Sequence, residues 1–455
     1  MRILKTLLRT EEVKFTAKMP VILLAHTLTP SDTARIDRNK ILGFVTELGG
    51  ETSHASILAR AMGIPAVVGV ERLMKEAHAE CTAIVDGNAG IVYIDPTHDV
   101  LNGYKRRQKQ YLTYLKRLSE EAALPAVTAD GVEISLQANI AMTADMSLAT
   151  SYKADGIGLF RTELPFLSAG RILTEEEQFT IYKTAVETMK GKMVTIRTLD
   201  LGGDKFLPFQ DIEEERNPFL GWRSIRISLQ ERDIFKIQLR AILRASTFGK
   251  TRILFPMISS LGEVIEIKEV LEETRQDLKN EKIPFDENIE MGIMIEVPSA
   301  AIIASHLAPY TDHFSIGTND LIQYTLAVDR DNEKVADFYQ PLNPAILKLI
   351  HQTIMVAKDS KITVSLCGEM AGNPLYTSLL LGLGLRQFSM SPLMIPEVKE
   401  RIRAITVAEC EKLAGQIIHM ASVTDIESLL WDFHKRANQK QSIPYMNKKE
   451  GVPSS

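Results

Sequence analysis

Gly292-Ile293-Met294-Ile295-Glu296 and His313-Phe314-Ser315-Ile316-Gly317-Thr318-Asn319-Asp320 decide how this chain folds. Each is a short, largely apolar run that ends on side chains with chemistry to offer. Working outward, six more such runs occur: Val132–Ile140 ending near Asn139, Gly156–Phe160 then Arg161, Val194–Ile196 then Arg197, Ile253–Met257, Ile362–Leu366 then Cys367, and Gln387–Met390. Helical-looking segments separate them, so βα units follow one another, a pattern that a closed parallel (β/α)8 TIM barrel satisfies. The C-terminal ends of barrel strands converge on one mouth, where barrel enzymes keep their active sites. This mouth would gather at least three arginines, two carboxylates and a thiol. Such a set suits a small, strongly anionic, metal-chelated substrate.

Composition narrows the class. The 455 residues allow two or three domains, although a barrel can take ~250 residues by itself. Hydrophobic residues make up 45% of the chain, enough for a sizeable core, and the net charge of -5 argues against a nucleic-acid or anionic-membrane partner. Any phosphate affinity must then be local. Cys81, Cys367 and Cys410 are scattered without CxxC spacing, which suggests neither a disulfide framework nor a zinc site and fits a cytoplasmic location. No apolar run approaches the ~20 residues of a membrane span, and the start at Met1-Arg2-Ile3-Leu4-Lys5 lacks a signal-peptide core, so no membrane insertion is expected.

A second module precedes the barrel. Between residues 19 and 95, strand-like pieces (Pro20–Ala25, Ile41–Thr46, Ala66–Val70, Thr82–Val85, Gly90–Ile94) alternate with helical ones, the mark of a small α/β domain. Residues 96–125 are highly charged, carry apolar positions at near-helical spacing and end at Pro125, so they read as a connecting helix. The barrel is expected over 126–436. The polar stretch 437–455 is expected to be disordered.

The small domain holds the most specific motif, Gly49-Gly50-Glu51-Thr52-Ser53-His54-Ala55-Ser56-Ile57-Leu58-Ala59-Arg60. Glycines bring backbone close to a ligand, hydroxyl residues cap, and an Ala/Leu-rich helix begins. His54 would sit at that helix N-terminus, where free N–H groups and the dipole favour a phosphoryl group on a neutral, nucleophilic imidazole. An isolated histidine is more often a satisfied or exposed side chain, which is the reading kept for His26, His78, His306 and His351.

These motifs together resemble enzyme I of the bacterial phosphoenolpyruvate:sugar phosphotransferase system. The resemblance runs through Gly49–Arg60, Gly156–Glu163, Arg197–Lys205, Asn217–Arg223, Met294–Pro298, Gly317–Leu321 with Tyr324–Arg330, and Cys367–Gly372, in one order. Pyruvate phosphate dikinase and phosphoenolpyruvate synthase share the histidine domain and barrel, but Asn217–Arg223 and Tyr324–Arg330 are closer to enzyme I.

The resemblance implies that His54 attacks the phosphorus of phosphoenolpyruvate, giving phosphohistidine and pyruvate, and that residues 1–95 form a phosphohistidine domain that swivels between the barrel and a histidine-containing phosphocarrier protein. It also implies a homodimer formed through the barrel. Phosphoryl transfer asks a protein mainly for positioning and charge stabilisation. Glu296 and Asp320 are hard oxygen ligands of the kind Mg²⁺ prefers; either alone would pass for a surface carboxylate, but both follow buried runs. Arg161, Arg197, Arg330 and Arg223 match the family's substrate clamp, planar forks for phosphate or carboxylate. Cys367, protonated at neutral pH, would supply the proton that the enolate takes up once phosphate has left. Asn319 is assigned to the substrate phosphate, with Lys205 and Arg60 supporting the two ends of the transfer.

Departures from the family pattern are also legible. A helical domain normally docks the phosphocarrier ahead of the histidine motif, and too few residues precede His54 for it, so slow onward transfer is expected. Glu51 stands where relatives are often basic, Thr27 where they usually show Asp, and Asn373 where Asp is common. Two other readings stay open at this stage: a dikinase-like fragment, for which no nucleotide-binding domain or glycine-rich ATP loop is found, and a non-catalytic phosphoenolpyruvate-binding regulator, which need not keep both His54 and Cys367.

Overall fold

The computed structural model describes residues 20–28, 40–49, 59, 64–78, 81–87, 89–202, 215, 217–330, 332 and 334–441. Contacts divide the chain into two units, residues 1–117 with 444–455, and residues 118–443. His54, Arg60 and Lys205 lie outside the described residues.

In the first unit β1 (Val21–Ala25), β2 (Ile41–Thr46) and β3 (Ala66–Val67) form a parallel sheet, and β4 (Ala83–Asp86) pairs antiparallel with β5 (Ile91–Ile94). The sheet has a small apolar cluster on each face. Leu23 and Phe44 serve one, and Leu24 and Val45 the other, as the two-residue strand period requires. β3 stops at Val67, short of the expected Val70. Gly69, at φ +73°, turns the backbone out of extended geometry there. A helix, His98–Glu121, fills the expected connection.

The second unit is the expected barrel. β6 (Ser135–Ile140), β7 (Gly156–Phe160), β8 (Met193–Arg197), β9 (Thr251–Phe255), β10 (Glu290–Ile295), β11 (His313–Ile316), β12 (Thr363–Leu366) and β13 (Gln387–Met390) pair in parallel, each with the next, and β13 closes on β6. Parallel strands covered by helices are buried on both faces, and β7 and β9 are buried at every residue. The outward set, including Phe160, Ile196, Phe255, Phe314, Leu366 and Phe388, meets the apolar stripes of the surrounding helices. The helix Arg232–Ala245, for example, buries Phe235, Leu239 and Ile242 at intervals of three and four. Ser260 with Glu263 and Thr406 with Glu409 form capping boxes that fix where two such helices start.

Several strand ends move by one or two residues from their expected places, and three larger differences in this unit have clear local reasons. The first barrel run loses Val132–Ile134, because Gly131 (φ +87°) turns the chain and Val127 bridges antiparallel to Glu133 before β6 begins. β9 ends at Phe255 rather than Met257, since Pro256 lacks an N–H and Met257 adopts φ +58°. The final helix, Val423–Gln441, continues beyond Arg436 and so corrects the expected onset of disorder at 437. Ile426, Leu430 and Ala437 are buried along one face and carry the helix onward. Residues 442–455 of that tail lie outside the described residues. No described helix is long and apolar enough to cross a membrane.

Candidate active site

Strand ends deliver the chemistry. Arg161 follows β7, its amide donating to Ile140 O of β6 at 2.8 Å, and Arg197 is the last residue of β8. Glu296 follows β10; Asp320 lies in the first turn of the helix Thr318–Leu326 after β11; Cys367 follows β12. All belong to the C-terminal mouth, where the sequence reading put them.

The arginines are held by carboxylates that the sequence reading did not single out. Arg197 Nη2 donates to Glu163 Oε1 at 3.0 Å and its Nη1 lies 3.1 Å from Asp200 Oδ2, with all three side chains buried. Asp200 in turn accepts from Arg223 Nη2 at 3.0 Å through its other oxygen. One aspartate thus aligns two guanidinium groups. Burial opposes the charge on Arg197 and on Arg223, but the neighbouring carboxylates more than offset it, and both pKa values are raised. Arg223 Nη1 donates to Tyr324 OH at 3.0 Å, and that hydroxyl donates to Phe219 O at 2.7 Å. Gly202 makes this approach possible. Its φ is +104°, and a Cβ there would fall 2.4 Å from Arg223 Cβ.

Arg161 is different. By surface area it is open to solvent, yet the concave mouth encloses it, and that enclosure with the like charges of Arg197 and Arg330 lowers its pKa. An exposed, crowded cation among other cations is a site for an anion. The Arg330 amide donates to Gln323 Oε1 at 3.3 Å.

The two carboxylates of interest are buried. Glu296 Oε1 accepts from Met257 N at 2.6 Å, and a Cβ on Gly317 would come within 2.7 Å of Oε2, so only glycine leaves room for this carboxylate. Burial, then the charges of Asp320 and Asp200, push the Glu296 pKa well above the carboxylate range. Asp320 Oδ1 has no hydrogen-bond partner and lies 3.8 Å from Arg223 Nη1. Buried, mutually repelling carboxylates beside an unsatisfied oxygen fit a divalent cation. Among the described residues no group of three or more His, Cys, Asp or Glu stands ready to hold a metal unaided, so this pair would share its cation with substrate and water oxygens.

Cys367 completes the set. Its Sγ accepts from Ser315 Oγ at 3.2 Å, its carbonyl accepts from Asn139 Nδ2 at 2.8 Å, and burial raises its pKa, which keeps the thiol protonated. Asn319 Oδ1 accepts from Glu369 N at 3.0 Å, which turns its NH2 end to act as the donor. Electrostatic coupling ties Cys367 to Glu296, Arg197 and Arg161. The barrel members of the candidate set therefore share one mouth, while His54 and Lys205 are not among the described residues. Glu163, Asp200, Tyr324 and the structural part of Asn139 were missed as contributors. The available signal was acid within three residues of a clamp arginine, as in Arg161-Thr162-Glu163 and Arg197-Thr198-Leu199-Asp200.

Comparisons with known proteins point the same way. Residues 116–407 match the family model described as PEP-utilising enzyme, PEP-binding domain, and residues 17–90 match PEP-utilising enzyme, mobile domain. A phosphoenolpyruvate-protein phosphotransferase of Buchnera aphidicola subsp. Baizongia pistaciae is 45% identical over 416 residues, covering 91% of this chain and 72% of that protein. That of Staphylococcus carnosus is 44% identical over 417 residues, covering 92% and 73%, and that of Haemophilus influenzae is 44% identical over 412 residues, covering 90% and 72%. With one family model spanning the barrel and relatives of this similarity spanning nine-tenths of its length, the chain belongs to the phosphoenolpyruvate-protein phosphotransferases of the PEP-utilising enzyme family.

Proposed function

We propose that this enzyme transfers the phosphoryl group of phosphoenolpyruvate to His54 and releases pyruvate, for onward transfer to a phosphocarrier protein of the sugar phosphotransferase system. The observation that carries the reading is the buried Glu296 and Asp320 pair beside Arg197 and Arg223 in one barrel mouth, with Arg161 next to Arg197. Arg161 and Arg330 receive the phosphate, with Asn319 donating to it, while Arg197 and Arg223, already aligned by Asp200, hold their forks toward the remaining oxygens. Lys205, which the family resemblance assigns to the substrate, would add a further positive charge. Preorganised cations of this kind stabilise charge where it develops and need no reorganisation during the reaction. Mg²⁺ held by Glu296 and Asp320 would supply a Lewis acid that neutralises the phosphate and enolate oxygens. His54 takes the phosphoryl group as the bridging C–O–P bond breaks at phosphorus, and Cys367 gives its proton to the methylene carbon of the enolate.

Labelled phosphoenolpyruvate and Mg²⁺ should place an acid-labile, base-stable phosphoramidate on His54. Full labelling of a His54→Ala variant would sink the assignment. We also propose a cytoplasmic homodimer associating through the barrel, on the strength of the family. A sedimentation run at micromolar chain with both ligands present checks it, and monomer alone would refute it.

A further inference from the structure

The interior of a parallel barrel is ordinarily filled by branched apolar side chains. Along β11 and β12 it is not. His313 and Ser315 point inward from one strand, Thr363 and Ser365 from the other, and Cys367 continues the inward row past the end of β12. The parallel register sets His313 beside Thr363 and Ser315 beside Ser365. The links run from one end of the barrel to the other: Thr363 Oγ1 to His313 Nδ1 at 2.7 Å, His313 Nε2 to Ser365 Oγ at 3.0 Å, Ser365 Oγ to Ser315 Oγ at 3.5 Å, and Ser315 Oγ to Cys367 Sγ at 3.2 Å. His313, Ser315, Ser365 and Cys367 are all buried, whereas Thr363 is exposed at the N-terminal end.

Buried polar groups cost free energy that an apolar filling would avoid, so an unbroken polar row across a barrel core asks for a use. A neutral imidazole has one donor and one acceptor, which lets it pass a proton by exchanging tautomers. Burial and the charge of Arg252 hold His313 in that neutral form.

We infer that His313, Ser365 and Ser315 form a proton path that reloads Cys367 from the solvent side of the barrel's N-terminal end. The inference rests on the reading of Cys367 as the acid that protonates the enolate. When the S–H bond breaks and the new C–H bond forms, a thiolate remains. It takes the Ser315 hydroxyl proton; Ser315 takes that of Ser365; Ser365 takes the one on His313 Nε2; and Nδ1 takes one from the Thr363 hydroxyl, which water restores. One solvent proton has then entered, and every group on the path is neutral again. These three residues act through Cys367 and do not touch the substrate.

The test uses the full chain with phosphoenolpyruvate, carbon-labelled pyruvate and Mg²⁺ in D2O. Reversal of the half-reaction carries carbon label into phosphoenolpyruvate, and each return brings the Cys367 proton or deuteron onto the pyruvate methyl group. Wild type should gain about one deuteron per carbon exchanged, and Ser365→Ala and Ser315→Ala should each lower that ratio roughly tenfold or more. Should either alanine variant fail to fold, His313→Gln replaces it with the same expected ratio, since an amide keeps the hydrogen bonds but cannot exchange tautomers. A role confined to holding the thiol lowers both exchanges together, so an unchanged ratio overturns the path. Absence of carbon exchange in wild type overturns the phosphotransfer reading itself.

Discussion

The barrel and the N-terminal α/β unit use strands in opposite ways. In the barrel, β7 and β9 are buried at every position, and eight strands close on one another without an edge. In the smaller unit β4 and β5 are only half-buried throughout, and sheets of three and two strands rest on clusters of a few side chains. A closed, fully packed scaffold can hold many charges at fixed distances, because its strand ends have nowhere to move. On the proposed function the smaller unit carries one phosphoryl group, which asks only for a single residue presented correctly. The packing of each unit matches what, on that function, the unit would hold in place, and the ion set of Glu163, Arg197, Asp200, Arg223, Glu296 and Asp320 is buried although it lies at the barrel mouth.

The hardest blow to that comparison would be a barrel that works without its buried charge. Glu296→Gln keeps size and removes the anion that faces Asp320. We expect phosphohistidine formation to slow by about 10³-fold or more, corresponding to roughly 4 kcal/mol of transition-state stabilisation. Rapid-quench labelling measures it, and retention of a tenth of the wild-type rate would mean that the charge set is not where this step is stabilised. The converse variant strikes the other unit. Phe44 is fully buried in the small sheet, and Phe44→Ala should destabilise that unit by about 3–4 kcal/mol while leaving barrel unfolding where it was. Calorimetry resolves the two transitions, and an equal shift in both would show that the units unfold as one.

How much of this was legible in the sequence differs between strands and charges. β2, β7, β11 and β13 match their expected bounds residue for residue, because a polar residue, glycine or charge marks each end. β9 was misplaced by an apolar run that continues through Pro256 and Met257, where backbone chemistry and not hydropathy ends the strand. The residues lining the mouth could be named because strand ends in a barrel converge by geometry. Their partners could not: Glu163 stands 34 residues before Arg197, and only the packing of β7 against β8 makes it that arginine's counter-ion. Likewise, the polar row from Thr363 to Cys367 becomes visible only when β11 and β12 are laid in register.

Gly202 tests the alignment with a smaller change. An alanine there combines a left-handed φ with a Cβ pressed against the backbone and Cβ of Arg223. Gly202→Ala should cost about 1–3 kcal/mol of local strain, which if fully expressed in the transition state corresponds to roughly 5- to 150-fold in kcat/KM as Arg223 shifts from Asp200 and Tyr324. Steady-state kinetics with phosphoenolpyruvate varied would show it. Unaltered kcat/KM would mean that the Arg223 fork contributes nothing to the transfer.

The smallest effect expected concerns acid. His313 is buried in the barrel and absent from the small unit, and burial with the nearby Arg252 guanidinium depresses its pKa well below the usual histidine value. Unfolding releases the ring to its ordinary pKa near ~6.5, so below that pH the unfolded chain binds a proton that the folded barrel refuses. The contribution of neutral His313 to stability is therefore complete above ~6.5 and is lost as pH falls toward the folded-state value, with a slope of at most about 1.4 kcal/mol per pH unit for one group. Glu290, ion-paired with Arg252 through Nε at 2.8 Å, tempers the cation without removing it. In His313→Gln that share of the slope should vanish from the barrel transition between about pH 6.5 and 5 and leave the transition of the small unit untouched. Urea titrations at several pH values read both. An identical barrel slope in wild type and variant would mean that His313 is protonated in the folded state, and such a charge at the centre of the polar row would also be incompatible with a neutral relay.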